Sequence, residues 1–81
     1  MSGTGTFNGD GLRQRRLELD LTHADVYQAL HIPEKCLDAL ETGDFSKMPG
    51  TTYTLGFLKT YCNYLGLEEA PYLQAYQAST R

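Results

Sequence analysis

The stretch Leu21–Gly43, LTHADVYQALHIPEKCLDALETG, leaves a folding chain little choice. Thr22 is a side-chain acceptor placed to cap a helix, and Asp25 three residues on makes a weak version of the reciprocal capping box. Leu21 and Val26 fall at the two positions of a hydrophobic staple, which sets the angle at which the chain enters the helix. Val26, Ala29 and Leu30 then supply an inward stripe. His31 and Ile32 form a tight turn, and Pro33 suits the first position of a following helix, where its missing N–H is not needed. Cys36, Leu37 and Leu40 face inward along that helix, Pro33 to about Thr42, and Gly43 is placed to end it in a left-handed cap. Two short amphipathic helices joined this tightly must cross steeply and share one core.

The remaining segments read as helices around that pair. A first helix runs from about Asp10, its expected cap, to Leu19, with Leu12, Arg16 and Leu19 at helical spacing and Leu17 alongside. Asp20 and Leu21 make the turn. Asp44 to Gly50 is a loop whose Phe45, Met48 and Pro49 are expected to tuck against the core. A fourth helix opens at Thr51 or Thr52 and runs to Leu65, with Gly66 as its cap. A fifth covers about Glu68 to Ala78, where Leu67, Leu73 and Tyr76 can close the core. Glu68 and Glu69 lie in its first turn, where negative charge suits the helix dipole and Pro71 is still tolerated. No strand-like alternation occurs, so the expected class is all-α, a compact five-helix domain over residues 10–78. An N-terminal arm (1–9) and a short tail (79–81) flank it.

At 81 residues the chain holds one domain with a thin core. No apolar run approaches the roughly 20 residues that span a bilayer, and the start carries no signal-peptide pattern. Cys36 and Cys62 sit inside helical patterns and read as reduced core thiols, which fits a reducing compartment. With only His23 and His31 beside them, no metal-site spacing arises, and no cofactor is expected. No nucleophile–base pair or phosphate-cradling loop is legible, so no catalytic role or small-molecule substrate is expected.

Leu21, Thr22, Val26, Leu30, Ile32, Leu37, Leu40, Glu41 and Gly43 together resemble the helix-turn-helix of the Cro/cI superfamily. Two positions depart from it. Tyr27 stands where a small residue is usual, implying a looser or differently filled helix crossing. His31 stands where glycine is usual, implying a histidine at positive φ, with a pH-sensing or ligand role as the alternative.

DNA readers of this fold place the start of the third helix in the major groove. Here that surface presents Pro33, Glu34, Lys35 and Asp38. Between Leu21 and Asp44, Lys35 alone stands against Asp25, Glu34, Asp38, Glu41 and Asp44, a local charge of −4 (one cation less five acids), within a net charge of −3. Duplex binding draws most of its affinity from cations on phosphates, so DNA is disfavoured. The rival reading, a sequence-specific transcription regulator, would use Glu34, Lys35 and Asp38 toward bases and Arg13, Arg15 and Arg16 toward phosphates. The arginines read more simply as a solvated face, partly paired with Glu18, Asp20 or Asp10.

The fourth helix, YTLGFLKTYCNYLG, carries two apolar stripes where a surface helix needs one. Leu55, Leu58, Cys62 and Leu65 gather on one side. Tyr53, Phe57, Thr60 and Tyr64 gather on another, with Tyr61 between. Either the fifth helix covers the second stripe with Tyr72, Leu73 and Tyr76, or Tyr53 and Phe57 stay exposed as anchors for a partner or a second copy. From Phe45 to Leu65 the chain contains Lys47 and Lys59 and no acid, so a mildly basic aromatic helix opposes acidic second and third helices.

LRQRRLELDLT, ALETGDFSKMPG and YTLGFLKTYCNYLGL, in a span from about Leu12 to Ala75, are similar to the N-terminal cytoplasmic domain of the RodZ family of bacterial cell-shape proteins. The last stretch follows that family's pattern of aromatic, two residues, glycine, aromatic. The resemblance implies a cytosolic adaptor domain of an inner-membrane scaffold that binds the actin-like filament protein MreB. It also implies that Tyr53 and Phe57, flanking Gly56, contact the filament protein. Lys59 falls at the family's basic position, Tyr64 extends the contact, and Lys47 adds rim charge. Any membrane link runs through a segment this chain does not contain.

Overall fold

The computed structural model describes residues 9–79. Among these residues five helices, α1 (Asp10–Glu18), α2 (His23–Leu30), α3 (Glu34–Thr42), α4 (Thr51–Leu65) and α5 (Glu69–Ser79), follow in order, with a single 3₁₀ turn at Phe45–Lys47. No strand occurs among the described residues. The all-α helix-turn-helix class read from the sequence is the class observed. Residues 1–8 of the expected arm and 80–81 of the tail lie outside the described residues.

Helix ends follow local chemistry closely. Thr22 Oγ1 accepts from the Asp25 N–H at 3.1 Å while the Asp25 carboxylate accepts from the Thr22 N–H at 2.9 Å, a full capping box. Four helices end in left-handed residues: Asp20 (φ 60), His31 (φ 60), Gly43 (φ 82) and Gly66 (φ 76). At α1 the Leu21 N–H donates to Arg16 O and the Asp20 N–H to Leu17 O. At α4 Leu67 donates to Cys62 O and Gly66 to Asn63 O in the same arrangement, which satisfies carbonyls a helix end leaves open. The expected positive φ at His31 is observed; that at Asp20 had no glycine to announce it.

Several helix ends differ from expectation. Asp10 is the first residue of α1 and not its cap; Gly9 holds that position, buried. A Cβ at Gly9 would collide with the carbonyl oxygens of Leu40 and Glu41, so the chain enters α1 pressed against the backbone of α3. Pro33 caps α3 from an extended conformation (ψ 142), with its carbonyl accepting from Cys36 and Leu37. Helix α5 starts at Glu69, one residue later than read.

The core comprises Leu12, Val26, Ile32, Cys36, Leu37, Leu40, Leu58, Tyr61, Cys62, Leu65 and Tyr76. Phe45 and Met48 pack on its edge, Phe45 meeting Tyr76 edge-to-face at 4.7 Å, whereas Pro49 stays exposed. Leu17 and Leu19 also stay exposed, because α3 and α4 cover only the Leu12–Arg16 face of the short α1. Ala29 faces solvent too, leaving Val26 and Leu30 to pack. Tyr27 does not fill the α2–α3 crossing: it turns outward, its ring 6.1 Å from that of His31. Both cysteines are buried free thiols, and burial, with a smaller contribution from Glu69, pushes Cys62 up to about 11.

Candidate protein-binding face

Helix α4 is oriented by its buried side, with a polar contact near each end. Thr54, Leu58, Tyr61, Cys62 and Leu65 are buried, and Thr54 Oγ1 donates back to Gly50 O at 2.8 Å near the helix start. At its far end Arg15 Nε donates to Leu65 O at 2.9 Å. With that side turned in, helical geometry aims Tyr53 outward.

The second stripe resolves into two environments. Tyr53 is 60% exposed and Tyr64 40% exposed, so α5 does not cover them. Phe57 is half-buried, packed on the core edge, with its ring centroid 5.9 Å from that of Tyr53. One ring thus props the other. Gly56, between them, is exposed. Lys59 and Lys47, expected as rim charges, each have acids of this chain nearby: Lys59 Nζ lies 3.8 Å from Glu69, and Lys47 Nζ lies 3.9 Å from Asp38 and 4.0 Å from Asp44. Exposed pairs of this kind contribute about 0–1 kcal/mol and yield readily to another carboxylate.

The residues considered for DNA do not assemble into a phosphate clamp. Arg16 is not part of a solvated face; it turns inward, with Nε and Nη2 donating to the two carboxylate oxygens of Glu41 and Nη1 to Leu21 O. Arg15 is engaged with Leu65 O and, at 3.3 Å, Glu18. Arg13 remains exposed on α1, and Glu34 and Lys35 are exposed at the start of α3, with Asp38 half-buried.

Glu41 is the centre of a buried polar network that the sequence reading did not assign. Besides Arg16 it accepts from Tyr61 Oη at 2.5 Å and lies 3.1 Å from His23 Nε2. Burial alone works to raise its pKa and is the largest single influence. Hydrogen bonds from Arg16, Tyr61 and His23, with the Arg16 charge, together outweigh it and hold the carboxyl below its ordinary value. The same contact with Glu41 raises the Arg16 guanidinium, against the opposing effect of burial. No buried side-chain polar atom among the described residues lacks a partner. The signal available in sequence was Arg16 at an apolar spacing with Leu12, and Tyr61 between two stripes. An arginine inside a core position calls for a buried acid.

A helix-turn-helix domain family model matches residues 11–72. The chain belongs to the helix-turn-helix domain family. Among individual proteins, the cytoskeleton protein RodZ of Streptococcus pneumoniae (strain ATCC BAA-255 / R6) is 31% identical over 72 residues, covering 89% of this chain and 26% of RodZ. The chain therefore spans about a quarter of that relative's length. Among solved structures, YmfM of Staphylococcus aureus, a membrane protein proposed to bind DNA, is similar with a TM-score of 0.78 and 28% identity, over 88% of this chain and 87% of that one. The chain is a RodZ-like helix-turn-helix domain. No described helix is long and apolar enough to cross a membrane.

Proposed function

We propose that this domain is the protein-binding adaptor of a bacterial cell-shape scaffold, non-catalytic, and that it grips an actin-like filament protein of the MreB type through α4. The observation that carries this reading is Tyr53, a large aromatic side chain left 60% exposed and braced by a half-buried neighbour. A rigid ring with little rotamer freedom to lose is the usual interface anchor. Tyr53 seats in a groove of the partner, Phe57 supports it from the core edge, and Tyr64 extends the contact. Lys47 and Lys59 exchange their weak internal pairs for partner carboxylates, which affects association rate and salt dependence more than affinity. A membrane-inserted segment outside this chain links the filament to the inner membrane.

The likeness to RodZ supports this assignment, and the burial of Arg16 together with the acidic start of α3 weighs against a phosphate-binding role. The test is a titration of the native domain with the filament protein of the same organism, beside gel shifts on duplex DNA over a salt series. Saturable filament-protein binding lost in Tyr53→Ala is the expected result. Tight binding to one DNA sequence, falling steeply with salt and without filament-protein binding, would overturn the reading in favour of a transcription regulator.

A further inference from the structure

Gly56 lies in the interior of α4, five residues after the helix begins and nine before it ends. A glycine there destabilises an exposed helix by about 1 kcal/mol relative to alanine. Three features of a fold commonly require such a glycine, and none operates here. The first is a left-handed backbone; the positive-φ glycines are Gly43 and Gly66 alone among the described residues. The second is close packing within the chain, as at Gly9, but a Cβ at Gly56 would find nothing within 4 Å. The third is a break in the helix, and α4 is continuous from Thr51 to Leu65. The isolated domain would accept a side chain at position 56 and gain from it.

The position is also not neutral ground. Gly56 is adjacent to Phe57 in sequence and three residues from Tyr53, so it lies on the helical surface beside the ring pair. Where Tyr53 projects, Gly56 leaves the α4 backbone bare, a step between a raised ring and an open floor.

We propose that Gly56 is the point of closest approach in the interface with the filament protein: the partner's surface seats directly on the α4 backbone there, and the bare backbone sets which partners fit. This deepens the reading of α4 as the binding face and rests on it. Tyr53 supplies area and Gly56 supplies clearance. A side chain at 56 holds the partner off by the length of that side chain and lifts it from Tyr53.

The test compares Gly56→Ala, Gly56→Gln and Tyr53→Ala with the native domain, each measured for thermal unfolding and for binding to the MreB-type filament protein. The proposal expects Gly56→Ala to raise Tm, by about 4 °C for a domain of this size. It expects the same variant to bind at least about tenfold more weakly and Gly56→Gln about a hundredfold more weakly. Opposite signs in stability and binding distinguish an interface glycine from a structural one. If Tyr53→Ala loses binding while both Gly56 variants keep native affinity, this proposal fails and the binding face stands. If either Gly56 variant melts lower than the native domain, the glycine serves the fold and the proposal fails. If the native domain does not bind the filament protein, both fall together. If sedimentation shows that Gly56→Gln instead breaks a native self-association, the occupant is a second copy and the proposal is overturned.

Discussion

Arg16 and Glu41, 25 positions apart, meet in a two-point contact, Arg16 Nε and Nη2 lying 2.7 and 3.1 Å from the two carboxylate oxygens of Glu41. The pair joins α1 to α3, and Tyr61 brings α4 to the same carboxylate. With His23 of α2 also on that carboxylate, four helices meet at one acid.

Breaking that acid's charge has a directional pH signature. The Glu41 pKa is lowered on folding from its ordinary 4.5, so the unfolded chain takes up a proton first as pH falls. The stabilisation is complete above pH 4.5 and is lost as pH drops through the lowered folded value. Glu41→Gln is expected to lose about 3 kcal/mol at pH 7, because the Arg16 charge stays buried without its counter-ion. It should also show a shallower decline than the native domain below pH 4.5. Urea midpoints across pH check this; parallel pH profiles for the two proteins would remove Glu41 from the account.

Tyr53 and Phe57 are expected to separate when each is replaced by alanine. Tyr53→Ala should change stability by no more than about 0.5 kcal/mol, as exposed positions do. Phe57→Ala should lose about 1–2 kcal/mol, since half of an aromatic side chain leaves the core edge. Both should weaken filament-protein binding by at least about 2 kcal/mol. Equal stability losses would mean that the two rings share one environment, contrary to their exposures.

His31 holds a left-handed conformation without being glycine. His31→Gly is expected to raise stability by up to about 1 kcal/mol, read as a higher urea midpoint. A lower midpoint would show that the edge contact with Tyr27 outweighs the backbone strain.

Gly9 allows no side chain. Gly9→Ala drives a methyl group into the main-chain carbonyls of Leu40 and Glu41, which belong to a helix and cannot step aside. The expected loss is about 1–3 kcal/mol, as for overpacked cores, and thermal melting measures it. An unchanged melt would mean that the start of α1 is not docked on α3.

The sequence by itself determined the helices, most of their ends and the fold class, because caps, staples and 3.6-residue periodicity act over a few residues and are written locally. Thr22, Asp25, Gly43 and Gly66 behave as their chemistry requires wherever the rest of the chain goes. It also marked Tyr53 and Phe57 as a pair worth watching, by showing more apolar surface on α4 than one core face can use. Only the tertiary structure decided which of those rings stays in water, that Leu17, Leu19 and Ala29 are left out of the core, and that Arg16 turns from the surface to Glu41. Those outcomes depend on which faces neighbouring helices cover, and on three side chains from distant segments arriving at one carboxylate. Local pattern carries no record of either.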